Sequence, residues 1–271
     1  MAYNTSLFAQ LLQIVPRSTF DRLVRQTKAD RYCKSFTTWH QCVAMLYLHF
    51  AQAKSLREIS DGLRSCGGKL SHLGISAPAH STLAHANATR PAALYEHLFQ
   101  QMLIRCHAQR TGKRKFKFNN PLYSLDSTTI DLCLTLFPWA EFRQTKGAVK
   151  LHLLLDHDGY LPTYAVITDG KTADITIART LKLAKGSLIV MDRGYCDYAL
   201  FHAWHRAGVF FVTRLKDRAQ YEVILDKQIP AHRNILSDQL IRLTGATAKK
   251  RCPVLLRRVV VWDAVNEREI E

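Results

Sequence analysis

Residues 187–195 read SLIVMDRGY, an apolar run that stops at an acid, an arginine and a glycine. Leu188, Ile189, Val190 and Met191 form an unbroken apolar stretch too short for a helix, so they read as a strand buried on both faces. Asp192 sits at its exit and Arg193-Gly194 begins a turn. In open α/β sheets ligands collect at the carboxyl ends of strands. An aspartate there is either a turn starter or cap, or a ligand for something held in that crevice.

Working outward, PLYSLDSTTIDL (residues 121–132) poses the same question at Asp126, which also follows strand-like residues. AVKLHLLLDHDG and YLPTYAVITDG follow as two strands joined by a hairpin signal at Asp158-Gly159. ADITIARTLKLA reads as a helix, SLIVMD as a strand, DYALFHAWHRAG as a helix ended by Gly208, and VFFVTRLK as a strand. This order predicts a mixed sheet: the hairpin gives antiparallel pairs, and the strand-helix-strand units give parallel ones. Residues 219–271 read as alternating strands. Two carboxylates on adjacent strand ends suit Mg²⁺, which takes one or two protein carboxylates together with waters and substrate phosphates. Two such ions serve phosphodiester chemistry by activating the attacking oxygen and stabilising the leaving one.

Residues 1–115 read as helical. Helices are expected over SLFAQLLQIV, over STFDRLVRQ with Ser18 as cap, over a long buried TTWHQCVAMLYLHFAQA, and over SLREISDGLRS capped by Ser55 with Glu58 three positions on. CGGKLSHLGISAPAH is a turn-rich segment. STLAHANATR forms a short helix capped by Ser81 or Thr82, and a longer helix follows Pro91. Short helices around a turn suit a DNA reader, and equally any small helical bundle. RTGKRKFKFNN then interleaves Lys113, Arg114, Lys115 and Lys117 with Phe116 and Phe118. It reads as a phosphate-following segment or as a solvated linker at the domain boundary.

Lys and Arg number 38 against 22 Asp and Glu, a net charge of +16, which favours polyanion partners. The seven cysteines are scattered, with no CxxC pair, and read as reduced thiols. No apolar stretch approaches the ~18 residues of a membrane span. The start MAYNTSLFAQ lacks signal-peptide features, so the chain reads as soluble and cytoplasmic with no membrane partner. DGKT at residues 169–172 lacks the upstream glycine of a phosphate-binding loop, the position being Ala165. There is no HExxH or GxSxG, and His202 and His205 read as helix-surface residues.

LDSTTIDL, GAVKLHLLLDHDGYLP, ITDGKTADITIA, IVMDRGYCDYALF and FFVTRLK, in this order, resemble the DDE transposases of bacterial insertion sequences. The match is to the IS-four-related group with its Y-R-E-K signature. The resemblance covers most of the chain, and DRGY after an apolar strand is its most specific part. It implies an RNase H-like mixed sheet with helices (residues 116–218), preceded by an all-α DNA-binding region (1–115) and followed by a partial β-rich insertion (219–271). It implies cleavage and strand transfer at element ends with Mg²⁺ or Mn²⁺, a two-metal site when the third carboxylate is present. Partners would be double-stranded DNA, as transposon ends and target. Self-association on DNA is compatible with it, as is a nucleoid location. By position, Asp126 would be the first metal carboxylate and Asp192 the second. Lys150, His152, Arg193, Tyr195, Arg214 and Lys216 are candidates for contact with DNA.

The chain departs from the family at the third acid, a glutamate within Y-x2-R-x3-E-x6-K. Tyr195, Tyr198 and Tyr221 lack the following arginine, and Glu267, Glu269 and Glu271 fall outside the motif. The expectation is therefore a chain that stops within or just after the insertion and is inactive alone. The alternatives are a non-catalytic DNA-binding remnant, or another RNase H-like nuclease that draws its last acid from elsewhere.

Overall fold

The computed structural model describes residues 7–109, 116–132, 141–143, 146–216, 218–229 and 234–271. The chain divides into two compact units, Met1–Ala108 and Gln109–Glu271.

The first unit is helical: α1 (Leu7–Leu12), α2 (Arg17–Thr27), α3 (Thr38–Ala51), α4 (Leu56–Ser65), α5 (His80–Thr89) and α6 (Ala93–Ala108). Phe20, Leu23, Val43, Ile59, Leu63, Leu83 and Leu94 form its core, with Phe20 meeting Trp39 edge to face at 5.2 Å. Helix α4 starts as its sequence indicates. Ser55 Oγ accepts from the Glu58 N–H at 3.2 Å, while the Glu58 carboxylate reaches back to the Lys54 N–H at 2.8 Å, a variant of the capping box. Elsewhere the caps differ from expectation. Helix α2 begins after Pro16, which leaves Ser18 inside it, and Asp21 instead bonds the Arg17 guanidinium at 2.9 Å. Helix α5 begins after Ala79, so neither Ser81 nor Thr82 caps it. Only the first half of α3 is buried; His49 and Phe50 are exposed.

Arg90 ties this unit together from a nearly buried position. It donates to the carbonyls of Thr37 (3.0 Å) and Phe36, to Gln41 Oε1 (3.1 Å) and to Cys33 Sγ (2.9 Å). A planar guanidinium satisfies this many acceptors at once where an ammonium would not.

The second unit holds two sheets. The first contains β1 (Leu122–Leu132), β2 (Glu141–Arg143), β3 (Lys146–Asp156), β4 (Leu161–Asp169), β5 (Leu188–Met191) and β6 (Phe210–Val212). Along β4-β3-β1 the pairing is antiparallel; along β1-β5-β6 it is parallel. Helices α7 (Asp174–Ala178) and α8 (Tyr198–Ala207) supply the crossovers. One face of the sheet packs Leu125, Leu154, Ile189 and Met191 under Ala178, Leu200, Phe201 and Trp204, with Phe201 stacked on Phe211 at 4.3 Å. Residues on the opposite face stay open to solvent: Ile167 is 65%, Val190 37%, Phe210 58% and Val212 52% exposed. The expectation of a strand buried on both faces is thus corrected for β5. Helix α7 and strand β6 are also shorter than the sequence suggests.

The second sheet is an antiparallel meander, β10-β9-β8-β7, built from β7 (Tyr221–Asp226), β8 (Ile235–Leu243), β9 (Leu256–Asp263) and β10 (Arg268–Ile270). The short helix α9 (Ala246–Arg251) lies between β8 and β9, where only strands were expected. Asp238, 5% exposed, takes a bidentate grip from Arg257 at 2.8 and 2.5 Å.

Candidate active site

Strands β1 and β5 run parallel with Leu125 opposite Met191 as their last pair. Asp126 and Asp192 each come next. Cross-strand partners share a face, and neighbouring strands lie about 4.8 Å apart. The two aspartates are therefore the next residues on neighbouring strands after the last pair, and both are exposed; alternation from the buried Leu125 puts Asp126 on the face opposite the helices. Asp126 does not end its strand, however. Strand β1 continues to Leu132 and pairs on with β3, with Asp126 opposite Leu153. The site lies where the parallel pairing of β1 stops and its antiparallel pairing goes on.

Each carboxylate is held by backbone just after it. Asp126 Oδ1 accepts from the Ser127 N–H at 2.7 Å, and Asp192 Oδ1 from the Gly194 N–H at 2.9 Å. A Cβ at Gly194 would come within 3.0 Å of that same oxygen, so the glycine admits this close turn. Asp192 is thus a cap in fact, and capping leaves its second oxygen available. Thr213 Oγ1 donates to the Asp192 carbonyl at 3.1 Å and ties the strand end to the segment after β6.

Beneath the pair, on the helix-covered face, lies a polar cluster that the sequence did not single out. Its centre is Asp174, at the start of α7. Asp174 Oδ1 accepts from Ser127 Oγ at 3.0 Å and from Lys150 Nζ at 3.1 Å, and lies 3.8 Å from His152 Nδ1. His152 Nε2 pairs with Thr168 Oγ1 at 2.9 Å. The DGKT stretch serves this cluster as a turn. Asp169 Oδ1 accepts from the Thr172 N–H (2.7 Å) and hydroxyl (2.6 Å), which presents the Thr172 carbonyl to Lys150 Nζ at 3.0 Å. These bonds hold the Asp169 carboxyl below its usual range. Burial holds the His152 imidazole below its usual value, helped by Lys150 and opposed by Asp174. The Tyr195 phenol is pushed up to about 12, first by burial; Ser127 works against this, while Asp174, Asp126 and Asp192 add to it. One clue to Asp174 was legible: an acid in the first turn of a predicted helix that follows a strand end.

The remaining candidates separate. Tyr195 and His152 are buried, at 1% and 0% exposure, and Lys150 is engaged by Asp174. Tyr195 and His152 thus have almost no exposed surface, and Lys150 is already held by an acid. Alternation of side chains along β3 turns Lys150 and His152 inward, because they share the face of Leu154. Arg193, Arg214, Lys216 and Lys117 are exposed. The first three follow β5 and β6 at the same sheet edge as the aspartates, and Lys216 Nζ also donates to the Cys196 carbonyl at 3.1 Å. Lys113, Arg114 and Lys115 lie outside the described residues.

The donor set fits Mg²⁺ or Mn²⁺: two exposed carboxylates with free oxygens suffice when waters and substrate phosphates complete the shell. Among the described residues no group of three or more His, Cys, Asp and Glu is arranged to hold a metal. Also among the described residues, no helix is long and apolar enough to cross a membrane.

Residues 117–257 match the model of the transposase DDE domain, and residues 3–76 match a domain of unknown function, DUF4372. The y4zB protein of Sinorhizobium fredii, named as a transposase, is 30% identical over 206 residues, covering 73% of this chain and 56% of that protein. A Geobacillus stearothermophilus protein, named as a transposase for insertion sequence element IS5377, is 27% identical over 192 residues, covering 70% and 50%. The chain thus spans about half the length of these relatives. A solved synaptic complex of piggyBac transposase with hairpin DNA aligns with 96% of this chain and 62% of its own, at a TM-score of 0.45 and 10% identity. With the DDE domain matching from the start of the mixed sheet to β9, the chain belongs to the DDE transposase family of bacterial insertion sequences.

Proposed function

We propose that the chain acts in DNA transposition, binding duplex DNA at element ends and cutting phosphodiester bonds at Asp126 and Asp192. One observation carries the reading: the parallel register of β1 and β5 sets two exposed carboxylates next to each other at one sheet edge. The antiparallel β4-β3-β1 followed by the parallel β1-β5-β6 supports an RNase H-like core over residues 116–218. The helical unit would be the DNA-binding region (1–115) and the second sheet an insertion (219–271).

Asp126 and Asp192 would hold the divalent cation, Mg²⁺ or Mn²⁺. When bound, it supplies Lewis-acid activation of the attacking oxygen and stabilises the leaving one. Ser127 and Gly194 orient the two carboxylates through their N–H groups. Arg193, Arg214 and Lys216 hold phosphates at the same edge. The part-buried Asp174 cluster ties β1 and β3 to the start of α7 beneath the pair.

The second reading, a DNA-binding chain without catalysis of its own, is favoured by the absence of a third acid beside the pair among the described residues. Incubation with supercoiled DNA and Mg²⁺ or Mn²⁺ separates the two. Nicking that disappears in Asp126→Ala and in Asp192→Ala supports the enzyme. End-specific binding with no nicking supports the second reading, and no binding to any duplex removes both.

A further inference from the structure

The helical unit concentrates positive charge at one place. Between Arg17 and Lys34 the sequence holds six Lys and Arg against two Asp. Arg17 is used by Asp21, but Arg22, Arg25, Lys28, Arg31 and Lys34 are all exposed. Elsewhere many arginines are matched by carboxylates, as in Arg64–Asp61, Arg179–Asp197, Arg242–Glu222 and Arg257–Asp238. Phe20, Leu23 and Val24 occupy the inward side of α2, which turns Arg22 and Arg25 outward at helical spacing.

Just past α2 the backbone folds tightly. Lys28 and Tyr32 both adopt left-handed conformations, with φ of 53° and 63°, which non-glycine residues seldom do. The turn is tied by Ala29 N–H to the Val24 carbonyl (3.1 Å), Arg31 N–H to Lys28 (3.0 Å) and Cys33 N–H to Asp30 (3.0 Å). It opens an outward cleft of about 530 Å³ lined by Val24, Arg25, Lys28, Asp30 and Arg31. The one acid there is already engaged. Asp30 Oδ1 accepts from the Thr38 N–H at 2.6 Å and from the Thr38 hydroxyl, and lies 4.0 Å from the buried Arg90 guanidinium. At the rim Tyr32 is 85% exposed, with the Arg31 guanidinium 4.8 Å over its ring.

We propose that this cleft and its rim, formed by Arg22, Arg25, Lys28, Arg31, Tyr32 and Lys34, are a docking surface for the sugar-phosphate backbone of duplex DNA. The site deepens the functional reading above and rests on it. The cations along α2 and the turn follow a line of phosphates. The tied turn holds them in position before binding, and the Tyr32 hydroxyl at the rim offers a further donor to phosphate.

Fluorescence anisotropy with a short labelled duplex of mixed sequence, taken through a salt series, tests this. Arg25→Ala/Lys28→Ala/Arg31→Ala should weaken binding about tenfold or more and shallow the log–log salt slope by about 2 to 3, near 0.9 for each phosphate no longer neutralised. Lys249→Ala/Lys250→Ala/Arg251→Ala in α9 removes as much charge elsewhere and should cost much less. An unchanged circular-dichroism spectrum and urea midpoint certify the fold of each variant. Should the triple variant not fold, Arg31→Ala/Lys34→Ala, beyond the helix, gives the same comparison. If the wild type binds and the two surfaces are equivalent, the docking surface is wrong while the functional reading stands. If the patch variants lose binding to phosphatidylserine vesicles but not to DNA, the surface is likewise wrong. If the wild type binds no duplex, the functional reading itself fails.

Discussion

His152 shows how a residue near the site acts through its surroundings. It is fully buried, and burial depresses its proton affinity. As pH falls, the unfolded chain takes up this proton before the native one does. The contribution to stability is therefore complete above the unfolded value near 6.5, and is lost as pH drops from there toward the lower native value. Urea melts at about pH 7.5 and at about pH 6 should show the loss, at most ~1.4 kcal/mol per pH unit from this one group. His152→Gln should lower stability at the higher pH and flatten the slope between the two. An unchanged slope would mean that other groups carry the pH dependence. Both candidate acids were legible as residues, because each follows strand-forming sequence. Of Asp174 only its place at the start of a helix was legible, since its partners Ser127, Lys150 and His152 come from two distant strands.

Among the elements, α3 and α4 set a close approach that inverts an ordinary rule. An alanine within a helix is worth about 1 kcal/mol over glycine, so Gly62→Ala would normally strengthen α4. Here a Cβ at Gly62 would lie 2.4 Å from the Tyr47 hydroxyl and 2.9 Å from its ring. The substitution should instead destabilise the helical unit by about 1–3 kcal/mol through overpacking, read as a lower urea midpoint. Adding Tyr47→Leu should recover part of the loss; a stabilised Gly62→Ala protein would contradict the close contact. The capping of α4 by Ser55 was readable because a cap and its helix are adjacent in sequence. Ser18, Ser81 and Thr82 had the right chemistry as well, yet α2 and α5 begin ahead of them, after Pro16 and Ala79. Strand β1 was readable as a strand, but its change of neighbour at Asp126 was not, because that depends on which strands lie beside it.

At the scale of the molecule, each unit has its own apolar core. Residues 1–108 should fold by themselves. Trp39 is the one tryptophan in that stretch and is nearly buried against Phe20, so its emission reports the core directly. The isolated fragment should show blue-shifted emission that is lost cooperatively in urea. Red-shifted emission without a transition would show that the unit depends on the rest of the chain.

Local pattern was enough for the switch from helices to strands, for the succession of strands and helices that makes a mixed sheet and for two candidate carboxylates, because hydrophobic periodicity and turn chemistry are written in neighbouring residues. Three features came from folding alone: the register that makes Asp126 and Asp192 neighbours, the burial of Tyr195 and His152, and the exposure of one face of the sheet around Val190. Each depends on segments separated by tens of residues, and a strand's sequence does not state which partners it will meet or which of its faces they will cover.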